Sequence, residues 1–214
     1  MTALLIKGAL CYLLGSLVGS LVLRRHTGVD IRSLGSGNAG ATNALRTLGK
    51  KIALCVLVID VVKGWIATAL IAPAALPGIA AVPDVSAWAV TVCGLAVILG
   101  HVYPLWYGLR GGKGLATLLG AVAGIQWWLL LPMLLTWLVA VVLFGFVGLA
   151  SMLGTIALAV NLAVRGAGPP LLSFGILSAV VIVFTHRGNI ARMRAGTEPR
   201  ARRLWLLGAR HGAT

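Results

Sequence analysis

The feature that most constrains this chain is residues 115–164, a stretch of about fifty residues without one charged side chain. Four further apolar runs cover residues 2–23, 52–72, 85–106 and 171–185. A helix needs about 20 apolar residues to cross the hydrocarbon core of a bilayer. Charged residues make up 10% of the chain, against about 25% in soluble proteins. The chain is therefore predicted to be an all-α integral membrane protein.

The basic residues predict how the chain is oriented. Eighteen Lys and Arg stand against four Asp and Glu, and most of the basic side chains lie in residues 24–51 and in the tail after His186. The positive-inside rule places both segments in the cytoplasm, which puts the N-terminus outside and requires an odd number of spans. This topology accounts for most of the positive charge, so no nucleic-acid partner is expected.

The odd number of spans decides how residues 115–164 divide. Two long helices would give six spans and three short ones seven, so we expect a polytopic bundle of seven transmembrane helices with a cytoplasmic C-terminus. Each short span would hold about 15–17 residues, so one is expected to be tilted, broken or partly re-entrant. Pro132 and residues 145–154 are the candidate breaks. Residues 1–214 are predicted to form a single membrane domain with a basic tail from about residue 200.

A glycine-rich loop lies in the first basic segment. Glycines let backbone N–H groups approach an oxyanion closely, and an arginine fork suits phosphate. The candidate binding residues of this loop are Gly35, Ser36, Gly37, Asn38, Gly40, Thr42, Asn43 and Arg46. The glycine spacing also matches a dinucleotide fingerprint, but that fingerprint requires a preceding strand, and here a membrane helix precedes. A flexible polar loop is the remaining alternative.

A second glycine-rich turn precedes the apolar run that starts at residue 115. It consists of Gly111, Gly112, Lys113 and Gly114. A glycine turn that leads into a helix N-terminus can bind an anion. The alternative is a tight interhelical turn whose lysine reaches the membrane surface. His101 lies upstream of this turn and on its own would more often be structural.

Asp60 and Lys63 lie three residues apart in the second predicted span, so they share a helix face. An unpaired charge at that depth costs several kcal/mol, and we therefore expect an ion pair. A position of Lys63 near a substrate is the alternative.

A last polar group follows the final span. On a helix that continues past residue 185, His186 and Asn189 would line one face, with Arg192 less closely aligned. Ser151 is a hydroxyl at membrane level that would converge on this group or only pack between helices. Glu198 is expected to bind nearby arginines.

Taken in order, these segments resemble the bacterial glycerol-3-phosphate acyltransferases that use acyl phosphate, the PlsY type. The match is carried by residues 35–46, by residues 100–104 with the 111–114 turn, and by Ser151 with residues 186–198. The chain departs from the family at Ala39, where the family usually has Pro. It also has Gly148 and Ala150 where the family often carries hydroxyls.

The resemblance implies an enzyme of the bacterial inner membrane with its active site on the cytoplasmic side. It implies transfer of an acyl group from acyl phosphate to the sn-1 hydroxyl of glycerol 3-phosphate, giving lysophosphatidate and inorganic phosphate in the first acylation of phospholipid synthesis. No metal ion and no organic cofactor is expected, and the partners are the two substrates and membrane lipid.

The residue roles are expectations of the same kind. Ser36, the loop amides, Thr42 and Asn43 would hold one phosphate. Arg46, Lys113 and the 111–114 turn would hold another, with Lys63 and His101 near the substrates. Ser151, His186 and Asn189 would orient the acceptor hydroxyl. The alternatives are an assembly factor and a transporter for a phosphorylated anion, although a transporter is expected to bind near the membrane midplane.

Overall fold

The computed structural model describes residues 1–78, 86–201 and 204–205. Parts of the predicted features lie outside these residues: Val85 at the start of the third predicted span, and the tail arginines Arg202, Arg203 and Arg210. Every regular element within the described residues is helical. The chain divides into two compact units, Met1–Trp127 and Trp128–Thr214.

The first unit is built from six α-helices among its described residues. They are α1 (Thr2–Gly15), α2 (Gly19–Thr27), α3 (Ala41–Thr47), α4 (Lys50–Trp65), α5 (Ala89–Val102) and α6 (Leu115–Gln126). Helix α4 continues as a π-helical turn, Ile66–Ile71, and short 3-10 turns occupy Ile31–Ser33 and Leu105–Tyr107. The basic segment 24–51 is therefore partly helical.

Glycines allow α1 and α5 to approach closely. A Cβ at Gly8 would lie 3.0 Å from the Val92 side chain, and one at Gly15 would collide with the backbone of Val97. The later residue of α1 contacts the later residue of α5, so these two helices run parallel. Small residues at such interfaces are typical of membrane helices, where close packing drives association.

Helices α4 and α6 are packed in the same way. Gly64 lies against the backbone of Thr117, and Gly124 lies further along against Thr68, so these two helices are also parallel. With α1 parallel to α5 and α4 parallel to α6, the connections at residues 16–49 and 103–114 lie at the same end of the unit. The hydroxyl of Tyr12 donates to the carbonyl of Tyr103 at 2.6 Å, which joins the end of α1 to the second connection.

The second unit contains α7 (Leu130–Phe144), α8 (Val147–Val164), α9 (Pro169–Thr185) and α10 (Arg187–Arg194) among its described residues. Gly148 near the start of α8 lies against Asn189, whereas Gly175 of α9 lies against Ala159 further along α8. Helices α8 and α9 are therefore antiparallel, and the start of α8 lies at the same end of the unit as α10.

Residues 115–164 form three α-helices, α6, α7 and α8, which are 12, 15 and 18 residues long. The non-helical break falls at Gly145, where φ is +76°, within the candidate region 145–154. Pro132 lies in the first turn of α7, a position that tolerates proline. Five segments are long and apolar enough to cross a membrane, or six if α9 and α10 are counted as one, because Leu115–Phe144 counts as one segment of 30 residues. Seven spans and the orientation of the termini stay predictions.

The chain stays helical past residue 185, but it does not continue as one straight helix, the condition under which His186 and Asn189 would line one face. Helices α9 and α10 meet at an angle of 51°, and His186 between them has φ −93° and ψ 8°. Its ring nitrogen Nδ1 lies 2.7 Å from the carbonyl of Ile182, which also accepts from the His186 backbone N–H at 3.1 Å. A side chain that enters the helical hydrogen-bond ladder in this way is a known cause of sharp bends.

Candidate active site

Asn43 organises the first glycine loop. Its side chain is 1% exposed, and Nδ2 donates to the carbonyls of Ile31, Leu34 and Asn38 at 3.2, 3.0 and 3.0 Å. Its Oδ1 accepts from the backbone N–H of Ser36 at 3.0 Å. Because both polar atoms of the amide contact the loop backbone, Asn43 fixes the shape of the loop.

The surface of the loop carries the other predicted residues. Ser36, Gly37, Thr42 and Arg46 are exposed, whereas Asn38 and Gly40 are half-buried. Ala39 is fully buried, and its carbonyl accepts from the hydroxyl of Ser20 in α2 at 2.7 Å. The loop is therefore anchored to α2 at Ala39.

The second glycine turn folds back onto the end of α5. The N–H groups of Gly111 and Gly112 donate to the carbonyls of Val102 and His101 at 3.0 and 3.1 Å. The His101 ring occupies the space that a Cβ at position 112 would need, so this position requires glycine. Gly114 has φ +88° and precedes the first turn of α6, where backbone N–H groups have no partner within the helix. Lys113 is half-buried.

Beneath this turn lies a buried group formed by Asp60, Lys63 and His101. The predicted ion pair is confirmed, with 2.9 Å between Lys63 Nζ and Asp60 Oδ1. The same ammonium lies 2.9 Å from His101 Nδ1 and donates to the carbonyls of Gly15 and Leu17 at 2.9 and 3.1 Å. His101 Nδ1 also lies 3.3 Å from Asp60 Oδ1. The group therefore links the end of α1, α4 and the second turn.

Arg32 connects the two glycine-rich segments, a role that no sequence pattern indicates. Its Nη1 donates to the carbonyls of Tyr107 and Arg110 at 2.9 and 3.0 Å. From the sequence, Arg32 counts only toward the basic charge of the first segment. The nearby Asp30 indicates a local ion pair with Arg32. The contact with Tyr107, which is 75 residues away, leaves no pattern in the sequence around Arg32.

In the second unit, the contacts of His186 define its tautomer. Nδ1 faces the Ile182 carbonyl at 2.7 Å, and since a carbonyl only accepts, Nδ1 carries the proton. In the neutral ring, Nε2 is then the atom that can accept a proton. Ser151 is 2% exposed and donates to the carbonyl of Val147 at 2.8 Å.

Glu198 binds the polar residues of α10, as expected. Its Oε2 lies 2.7 Å from Arg192 Nε, and its Oε1 accepts from Asn189 Nδ2 at 2.6 Å. A Cβ at Gly148 would come within 2.7 Å of that same Nδ2. The glycine at 148, a departure from the related family, therefore leaves room for the Asn189 amide.

The structure thus brings residues 30–47 and 105–114 together in the first unit, and places the start of α8 against Asn189 in the second. Within residues 1–78, 86–201 and 204–205, no group of three or more His, Cys, Asp or Glu is arranged to hold a metal ion.

The chain is similar to known proteins over most of its length. A family model described as glycerol-3-phosphate acyltransferase matches residues 5–196. The glycerol-3-phosphate acyltransferase of Gloeobacter violaceus is 41% identical over 197 residues, which cover 90% of this chain and 92% of that protein. The enzyme of the same name from Aquifex aeolicus is 40% identical over 191 residues, with 88% and 94% coverage.

Two crystal structures of PlsY (YgiH), an integral membrane glycerol 3-phosphate acyltransferase, are similar to this chain at 36% identity. The glycerol 3-phosphate form has a TM-score of 0.80 and covers 94% of this chain and 96% of that one. The lysophosphatidic acid form has a TM-score of 0.79, with 97% and 99% coverage. The chain is therefore an integral membrane protein that belongs to the glycerol-3-phosphate acyltransferase family.

Proposed function

We propose that this protein transfers an acyl group from acyl phosphate to the sn-1 hydroxyl of glycerol 3-phosphate. The observation that carries the proposal is the position of two glycine-rich, basic segments at one end of the first unit, in contact through Arg32. Both substrates of this reaction carry a phosphate, so the enzyme must hold two anions. Glycerol 3-phosphate and lysophosphatidic acid, the two forms of the PlsY relative, would be the acceptor and the product.

The reaction needs positioning more than activation. The hydroxyl oxygen of glycerol 3-phosphate attacks the acyl carbonyl carbon, an ester bond forms, and the bond from that carbon to the phosphate oxygen breaks. The hydroxyl proton is lost, and phosphate leaves. Because phosphate is a good leaving group, alignment of the two reactants and stabilisation of the developing negative charge suffice. Neutral and basic donors fit this task better than carboxylates, which would repel both substrates.

The first unit supplies the phosphate-binding groups. Arg46, Lys113 and the 111–114 turn bind the phosphate of glycerol 3-phosphate, and Ser36 with Thr42 and the loop amides binds that of acyl phosphate. Three candidate residues of this unit act indirectly, by holding its backbone segments in place: Asn43, Lys63 and His101. Asn43 shapes the first loop, and Lys63 and His101 hold the second turn in place.

His186 accepts the proton of the acceptor hydroxyl on Nε2, while Ser151 and Asn189 orient that hydroxyl. The support for this role is the hydrogen bond at Nδ1, which leaves Nε2 as the basic atom. We expect His186→Ala to lower kcat by roughly a hundredfold or more, the usual contribution of a general base. His26→Ala, at an exposed histidine at the end of α2, is the matched control. Full activity of His186→Ala with an unchanged pH profile would remove His186 from the proton path.

The protein lies in the bacterial inner membrane with seven transmembrane helices, and the site faces the cytoplasm. The count of seven takes α1, α4, α5, α6, α7, α8 and α9 as one span each, and the alternating directions of α1, α4, α5 and α6 in the first unit support it. The apolar helix surfaces accept the acyl chain, and the basic segments face inward by the positive-inside rule.

One assay tests the proposed reaction. Purified protein is incubated with labelled glycerol 3-phosphate and, in parallel, with acyl phosphate or an acyl thioester, and the lipids are then extracted. We expect labelled lysophosphatidate, acylated at sn-1, with acyl phosphate alone as donor. Product from the thioester alone would overturn the proposed donor. No labelled lipid from either donor, together with counterflow of glycerol 3-phosphate into vesicles, would favour the transporter alternative.

A further inference from the structure

Arg32 uses its whole guanidinium group to connect two distant segments. Both Nε and Nη2 donate hydrogen bonds to the Asp30 carboxylate. The shortest distances are 3.0 Å from Nε and 2.7 Å from Nη2. The third nitrogen, Nη1, donates to the carbonyls of Tyr107 and Arg110. A planar fork can bind a carboxylate on one side and two carbonyls on the other, whereas a lysine ammonium is a single point.

The Asp30 carboxylate in turn fixes the orientation of the Arg32 guanidinium. Asp30 Oδ1 also accepts from the backbone N–H of Arg32 at 3.0 Å, and the Asp30 carbonyl accepts from the Ser33 hydroxyl at 2.8 Å. The hydrogen bonds that the Arg32 side chain donates to Asp30 raise the pKa of Arg32 above its ordinary value. The Arg32 side chain is 22% exposed, so the pair is partly shielded from water and its geometry is well defined.

The two carbonyls that Arg32 binds flank a strained residue. Leu109 has φ +56°, the one positive φ of a non-glycine residue among the residues that the structure describes. This region is unfavourable for an ordinary side chain, and such a conformation persists when surrounding contacts hold it. Arg32 contacts the residue after Leu109 and the residue two before it, so it holds this turn from both sides.

We propose that Arg32, oriented by Asp30, is a positioning residue that holds the first glycine loop and the 105–114 segment in the register needed to bind the phosphate of glycerol 3-phosphate. The proposal rests on the proposed function, in which Arg46 from the first loop and Lys113 from the second turn bind one phosphate. Arg32 does not touch the substrate; it sets the separation of the two segments that do.

Arg24 provides a matched control. It also pairs with Asp30, at 3.2 Å, but its side chain is 53% exposed, and its contact to Asp30 does not reach the second turn. Arg24→Gln and Arg32→Gln each remove one positive charge and one partner of Asp30. They differ in the two hydrogen bonds to the backbone of residues 107 and 110, and in the side-chain contacts to Asp30, which are three for Arg32 and one for Arg24. Arg32→Lys keeps the charge and removes the fork.

We expect Arg32→Gln and Arg32→Lys to raise the KM for glycerol 3-phosphate roughly tenfold or more, since two charged hydrogen bonds are lost. The KM for acyl phosphate should change less, and Arg24→Gln should stay within about twofold of the wild type for both substrates. A general loss of structure would change both KM values and lower the fraction of active enzyme. Equal effects of Arg32→Gln and Arg24→Gln would overturn the proposal, as would full function of Arg32→Lys.

A measurement that does not depend on acyl transfer tests this proposal separately from the proposed function. Amide hydrogen exchange of residues 107–113 should accelerate in Arg32→Gln and in the milder Asp30→Asn, but not in Arg24→Gln. Unchanged exchange in both variants would overturn the positioning role even in an active enzyme. Absence of acyl transfer by the wild type would overturn the proposed function, while the exchange comparison would still decide whether Arg32 holds the turn.

Discussion

At the scale of single residues, the first glycine loop depends on one buried amide. Asn43 donates to three carbonyls and accepts from one N–H, and no other residue type of the same size offers this combination. The loop thus obtains a fixed shape from a side chain within it, while Ser36 and Arg46 remain at the surface. A phosphate-binding loop benefits from such preorganisation because the bound geometry need not be formed at the moment of binding.

We expect Asn43→Ala to lower the free energy of unfolding by about 2–4 kcal/mol, because several buried hydrogen bonds are lost together. Asn43→Asp should be at least as harmful, since a carboxylate would face the three carbonyls without a proton to donate. Thermal unfolding in detergent measures both, with Thr42→Ala at an exposed neighbouring position as the control. Asn43→Asp with wild-type stability would contradict the assignment of Nδ2 as the donor to the three carbonyls.

Asp30 makes stability depend on pH in the acid range. The hydrogen bond from the Arg32 side chain is the largest influence, and it lowers the pKa of Asp30 from 3.8 to about 2. A carboxyl whose pKa is lower in the folded state stabilises the protein above its unfolded pKa and loses that contribution as pH falls. We expect the difference in melting temperature between wild type and Asp30→Asn to be constant above about pH 5 and to shrink as pH falls from about 4 toward 2.

The measurement is a set of melting curves for both proteins across this range. The comparison with Asp30→Asn isolates Asp30 from the other acids, which both proteins share. A difference that is the same at every pH would mean that Asp30 is not held in its charged form by Arg32.

At the scale of helices, close approach of α4 and α6 requires glycine at two positions. A Cβ at Gly120 would collide with the carbonyl of Val61 and lie 3.0 Å from the backbone nitrogen of Trp65, and Gly64 meets Thr117 similarly. Because these neighbours are backbone atoms, no change of rotamer can relieve the contact. The two helices must then separate or shift.

We expect Gly120→Ala to lower the free energy of unfolding by about 1–3 kcal/mol, the usual cost of overpacking. This loss should exceed the gain of about 0.5–1 kcal/mol that alanine brings to a helix. Gly188→Ala in α10 is the control, because the nearest atom to its Cβ would be Arg192 Nη1 at 3.6 Å, and it should be neutral or stabilising. Chemical denaturation in mixed micelles compares the two, and a Gly120→Ala protein as stable as Gly188→Ala would contradict the close packing.

The limits of prediction from sequence appear most clearly at this scale. The Asp60–Lys63 ion pair was predictable because both residues lie on one helix face, and the glycine turns were recognisable from composition. The bend at His186 was not, since it results from competition between a ring nitrogen and the backbone N–H for one carbonyl. Nor was the contact between Arg32 and Tyr107, because only the parallel packing of α1 with α5 brings these residues together.

At the scale of the whole molecule, the number of crossings decides which connections face the cytoplasm. The two glycine-rich connections lie at one end of the first unit. Five and six crossings differ in whether α9 and α10 together form a span, and six and seven differ in whether Leu115–Phe144, a segment of 30 residues, crosses once or twice. At 1.5 Å per residue, α6 and α7 would each be shorter than the usual 30 Å core, so two crossings require tilt or a locally thin bilayer.

A reporter fused after Gly166 distinguishes these topologies, because the turn between α8 and α9 changes side with the count. With a cytoplasmic Arg110 and seven crossings, this turn is outside and a fusion after Thr214 is cytoplasmic. If Leu115–Phe144 crosses once, the turn after α8 is cytoplasmic whether or not α9 and α10 form a further span. We expect a periplasmic reporter at Gly166 and a cytoplasmic one at both Arg110 and Thr214. A cytoplasmic signal at Gly166 would overturn the count of seven, whereas a periplasmic signal at Arg110 would overturn the orientation and, with it, the proposed cytoplasmic site.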